Sequence, residues 1–93
     1  MAPASEWRIE WEESALKELK KLGPAASTAV RDYLKHRVLK AADPRQFGKA
    51  LLGDKFGLWR YRVGDYRIVC RFEDAALVVL VVRVGHRRKV YER

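Results

Sequence analysis

Three observations predict an α+β fold for this chain. Two neighbouring segments in the first half carry helical apolar spacing. Two runs in the second half alternate with a period of two and a third is almost wholly β-branched or leucine, and one more alternating run lies near the start. The expected order is strand, helix, helix, strand, strand, strand. That order implies an antiparallel helical hairpin packed on one face of a mainly antiparallel, twisted sheet of about four strands, all within a single domain spanning 1–93.

Each element has its own warrant. Over 6–11, Trp7, Ile9 and Trp11 alternate with Glu6, Arg8 and Glu10, the pattern of a strand with one buried face. The period of two assigns both tryptophans to the core in preference to base stacking. Over 12–22, Ala15, Leu16, Leu19 and Leu22 form an apolar stripe. Acidic Glu12 and Glu13 open this helix and Lys20 and Lys21 close it, both favourable to its dipole. Gly23-Pro24 is read as its stop, glycine at the C′ position and proline as the breaker. A second helix is expected over 25–41, with Ala26, Val30, Tyr33, Leu34 and Val38 on its inner side. Lys35, Arg37 and Lys40 could extend a nucleic-acid track but are read first as its solvated face, and His36 among them as exposed and inert.

Asp43-Pro44 should end that helix. A loop is expected over 45–57, pinned to the core by Leu51 and Leu52, with Lys49 and Lys55 adding charge beside the sheet. Strands follow over 58–63, 66–72 and 77–84, joined by turns at Gly64-Asp65 and Glu73-Asp74. Gly64 at the first turn supplies the positive φ that a tight hairpin needs. The last strand is almost wholly β-branched or leucine, as a centrally placed strand should be.

Composition narrows the class. Residues 1–47 hold nine Lys/Arg and seven Asp/Glu, a net +2; residues 48–93 hold eleven and five, a net +6. The excess therefore sits on the sheet-forming half and is mostly arginine. A solvated surface would favour lysine on helices. Arginine on otherwise apolar strands (Arg60, Arg62, Arg67, Arg71 and Arg83) points instead to a preorganised phosphate site, with nucleic acid as the partner. The single cysteine, Cys70, allows no intrachain disulfide framework, reads as a small buried hydrophobe, and fits a reducing cytoplasm. No apolar run is long enough to span a bilayer, and no secretory signal core, phosphate-loop glycine spacing or metal-ligand cluster is recognisable. No cofactor is expected.

The helical hairpin, Leu52-Gly53, Trp59-Arg60-Tyr61-Arg62, Gly64-Asp65-Tyr66-Arg67-Ile68-Val69 and Val84-Gly85-His86-Arg87 with Val90-Tyr91 come in an order that resembles the RelE branch of the RelE/ParE toxin superfamily. The likeness covers nearly the whole chain. It implies a ribosome-dependent mRNA endonuclease, the toxin of a type II toxin–antitoxin system, that cuts mRNA in the ribosomal A site. It further implies inhibition of translation and neutralisation by a cognate RelB-like antitoxin, through which the complex would bind operator DNA.

By position, the resemblance places Arg60 and Arg62 among the basic residues of the second strand and Arg67 on the scissile phosphate. It places Arg87 near the leaving group and Tyr91 as the terminal aromatic that stacks on a base. Lys49, Lys55, Arg71, Arg83, Arg88 and Lys89 are expected to extend the RNA-binding surface. Relatives use lysines where this strand has arginines, and arginine is a poor general base. His86 is therefore either an acid/base group or a structural hydrogen-bond partner at the strand end. An acidic, amphipathic antitoxin would inhibit by covering the arginines or by displacing the tail over 87–93. Two readings in other classes stand beside this one: a ParE-like DNA gyrase inhibitor, and a non-catalytic nucleic-acid or antitoxin-binding module.

Overall fold

The computed structural model describes residues 6–87. Strand β1 (Arg8–Trp11) leads into helix α1 (Glu13–Leu22), and helix α2 (Pro24–Tyr33) continues as a π-helical turn, Leu34–Val38. Strands β2 (Lys49–Ala50), β3 (Trp59–Val63), β4 (Tyr66–Glu73) and β5 (Val78–His86) complete a five-stranded sheet in the order β1-β5-β4-β3-β2. The β2–β3, β3–β4 and β4–β5 pairings are antiparallel and β1 runs parallel to β5. This is the predicted α+β arrangement, two helices on a mixed sheet, with one short strand more than expected.

Several boundaries differ for identifiable reasons. β1 begins at Arg8, because only residues Arg8 to Trp11 lie beside β5. Pro24 does not break the chain. It occupies the first turn of α2, where its missing N–H costs nothing, so Gly23 alone (φ 98°) separates the helices. The loop expected over 45–57 contains β2 and a single 3₁₀ turn, Gly53–Lys55. Leu52 does not pin that loop: it is 81% exposed, and Phe56 beside it is 85% exposed. The anchors are Pro44, which is buried and whose carbonyl accepts the Tyr61 hydroxyl, and Arg45, which pairs with Asp74 at 2.7 Å and lies over the Phe72 ring at 4.4 Å. Leu77 is not in the last strand. It takes a left-handed conformation (φ 56°) that closes the β4–β5 connection.

The core forms where both helices meet one face of the sheet. Leu19 of α1 and Val30 of α2 pack with Leu34 and Val38 against Tyr61, Ile68, Cys70, Val79, Val81 and Val84. The other face lies away from the helices. Among the described residues no helix is long and apolar enough to cross a membrane.

Candidate nucleic-acid interface

The ladder decides which arginines meet. Residues directly opposed across antiparallel strands project to the same face. Lys49 opposes Arg60 across β2–β3, and Arg62 opposes Arg67 across β3–β4. Arg60 also opposes Val69, which opposes Arg83 on β5. Since Tyr61 and Ile68 point into the helix-side core, the alternating cations stand on the opposite, open face. Like charges directly opposed in this way cost stability. Arg60, Arg62 and Lys49 make no ion pair among the described residues.

A second group gathers at the β3–β4 turn. Arg67 Nη1 donates to the carbonyls of Gly64 and Tyr66, each at 2.9 Å. The Arg87 backbone N–H donates to the Asp65 carbonyl at 2.7 Å, and its guanidinium stands 3.8 Å from the Asp65 carboxylate. The turn that joins β3 to β4 thus holds Arg67 and Arg87 together, one strand-width from Arg62.

Other candidates are placed elsewhere. Arg71 sits farther along β4, 3.9 Å from both Glu12 and Glu73. Arg83 is drawn to α1, its Nε donating to Glu18 at 3.1 Å. Lys55 lies in the turn at the tip of the β2–β3 hairpin, beyond the paired residues. His86 opposes Tyr66 and shares the parity of core residue Val84, so it faces the helix side beside Glu18, Lys21 and Leu22. The register does not bring His86 to Arg62 and Arg67, because alternation sends neighbours Gly85 and His86 to opposite faces; of the candidate arginines, Arg83 lines the same cleft as His86. Tyr91, Arg88 and Lys89 lie outside the described residues.

A cleft of about 280 Å³ opens beside the cationic face, lined by Tyr33, Phe47, Gly48, Lys49, Arg60 and Arg62. Gly48 makes the close approach possible: a Cβ there would lie 3.2 Å from the Tyr61 ring. Burial raises the pKa of Tyr33 above its ordinary value, so this wall of the cleft is a neutral phenol. Phe47, which lines this cleft, carries no periodic or charge signal in the sequence. The signal available was an aromatic beside a glycine and a lysine in an otherwise aperiodic loop. Burial also pushes the Cys70 thiol up to about 12, which makes it the inert hydrophobe expected. No group of three or more His, Cys, Asp or Glu among the described residues is arranged to hold a metal.

Residues 9–91 match the family model described as the ParE toxin of type II toxin–antitoxin systems, parDE. The chain belongs to the ParE toxin family. Within the wider RelE/ParE superfamily, this toxin is 29% identical over 87 residues to Toxin RelG of Mycobacterium tuberculosis, covering 94% of this chain and 98% of that one. It superposes on the toxin–antitoxin complex RelBE2 of M. tuberculosis with a TM-score of 0.80 at 29% identity, over 94% of each chain. It also superposes on an E. coli RelE mutant solved with a peptide of antitoxin RelB, with a TM-score of 0.67 at 28% identity, over 86% of this chain and 82% of that one. The isolated E. coli RelE toxin shares the fold, with a TM-score of 0.70 at 24% identity over 91% of this chain and 88% of that one.

Proposed function

We propose that this toxin is an endoribonuclease that cuts mRNA in the ribosomal A site and so halts translation. The observation that carries the reading is the two pairs of opposed cations, Lys49 with Arg60 and Arg62 with Arg67, on the sheet face left open by the helices. RNA cleaves when a 2′-OH attacks the adjacent phosphorus and the 5′-oxygen departs, leaving a 2′,3′-cyclic phosphate and a 5′-OH. The transition state carries extra charge on the equatorial oxygens and needs in-line alignment. Arg67 and Arg62 grip those oxygens, Arg60 and Lys49 hold the neighbouring phosphate, and Arg87 neutralises the leaving oxygen. Tyr91 stacks on the base, and Arg88 and Lys89 add contacts to the backbone. Arginine does not act as a base at neutral pH, and His86 stands on the far face, so orientation and charge stabilisation are the contributions of these residues.

The partner is a cognate antitoxin, as solved relatives in complex with RelB-type antitoxins support. An acidic segment laid over the open face would pair with the same arginines that grip phosphate, and the antitoxin would carry the complex to operator DNA.

Mapping RNA 5′ ends after induction tests the reading. Wild type should yield new ends inside reading frames, Arg67→Ala should abolish them, and His86→Ala should cut like wild type. The family match to ParE favours a second reading, inhibition of DNA gyrase. A DNA-damage response without new RNA ends, unchanged in Arg67→Ala, would establish that one instead.

A further inference from the structure

The end of α2 carries a feature that the cationic sheet face does not account for. Its last turn, Leu34–Val38, is π-helical, with the Leu39 N–H reaching the Leu34 carbonyl at 3.0 Å. Such turns are uncommon, fit one residue more than an α-turn, and recur at functional sites. Here the turn and the residues after it bring His36, Arg37 and Lys40 along one cleft of about 550 Å³, closed by Gln46 and Phe47. The Arg37 guanidinium stands 5.0 Å over the Phe47 ring.

Phe47 also lines the cleft of Lys49, Arg60 and Arg62. The two clefts therefore share one aromatic wall, 39% exposed, and no carboxylate lines either. Arg37 and Lys40 make no ion pair among the described residues. A run of uncompensated cations interrupted by an accessible ring suits a single-stranded nucleic acid, whose phosphates and bases alternate. An amphipathic protein helix needs a broader apolar floor, and Ala41, Ala42 and Phe47 do not provide one.

We infer that the Arg37–Lys40 cleft is a second RNA-backbone subsite, joined to the arginine face through Phe47, that holds nucleotides flanking the cleaved position. The inference rests on the RNA reading above.

It is tested by fluorescence anisotropy with 2′-O-methyl oligonucleotides, which lack the attacking hydroxyl and stay intact. The double variant Arg37→Ala/Lys40→Ala should bind a dodecanucleotide about tenfold more weakly. Its dependence of log K on log salt should be shallower by about 1.4, two phosphates at roughly 0.7 each for a single strand. Binding of a dinucleotide, which reaches only the sheet site, should not change. An unaltered slope and affinity for the longer strand would overturn the subsite. So would an equal loss for both oligonucleotides, or a loss confined to an Asp/Glu-rich peptide probe, which would assign the cleft to an acidic protein segment. Circular dichroism confirms that the variant is folded. Arg62→Ala/Arg67→Ala separates the two claims: if that variant leaves dinucleotide binding intact, the phosphate site on the sheet is wrong whatever the outcome at Arg37.

Discussion

Arg62 and Arg67 repel each other across the β3–β4 ladder, and that repulsion has a measurable consequence. Like charges directly opposed cost roughly 0.2–1 kcal/mol. Arg62→Gln should therefore raise the free energy of urea unfolding by that amount at low salt, with the gain shrinking as salt screens the pair. RNA affinity should fall in the same variant. A residue that weakens the fold while strengthening anion binding is placed for binding, and equal stability of variant and wild type at low salt would contradict the assignment. The arginines themselves were legible in the sequence, since charge on apolar strands is unusual. Their partners were not. Which arginine meets which depends on register, and register depends on where the turn at Gly64 closes and on the irregularity between Val69 and Cys70.

At the scale of elements, β5 shows how a helix substitutes for a missing strand. β1 accompanies β5 only as far as Val81, where the Glu12 N–H makes the last backbone bond at 2.9 Å. Beyond that point Glu18 of α1 takes over: one carboxylate oxygen accepts the Val84 N–H at 2.9 Å and the other accepts Arg83 Nε at 3.1 Å. Glu18→Ala leaves a part-buried backbone donor unsatisfied and should destabilise the protein by about 1–3 kcal/mol. Glu18→Gln keeps an acceptor for Val84 and should cost less than half as much, as urea unfolding would read. Equal losses in both variants would mean that the charge on Arg83, and not the Val84 N–H, is what Glu18 serves. Periodicity predicted α1 and β5 separately. It did not predict this clasp, because nothing local marks Glu18 among the charged residues of its helix and its partner is a backbone group 66 residues away.

The molecule as a whole answers to pH through its core. Burial raises the Cys70 thiol from 9.0 to about 12 and also raises the Tyr61 phenol. Both groups stay protonated in the folded state at a pH where the unfolded chain releases its protons. The stabilising effect of Cys70 is therefore complete below about pH 9 and is lost as pH climbs from 9 toward 12, while that of Tyr61 is complete below about pH 10 and is lost above it. Thermal midpoints should fall over that window, and the fall should be shallower in Cys70→Ala once its own cavity cost is subtracted. A parallel pH dependence in variant and wild type would remove Cys70 from the linkage. In the native state at pH 8 the thiol should resist a thiol-specific reagent until the chain is unfolded.

Local chemistry alone settled the fold class, the helical hairpin, the three late strands and the basic character of the sheet half, because alternation and helical spacing are written into neighbouring residues. Tertiary structure alone decided three things: β1 lies parallel to β5, His86 turns from Arg62 and Arg67, and Phe47 links two cationic clefts. Each of these depends on residues far apart in the chain meeting in one register, and no local pattern encodes that meeting.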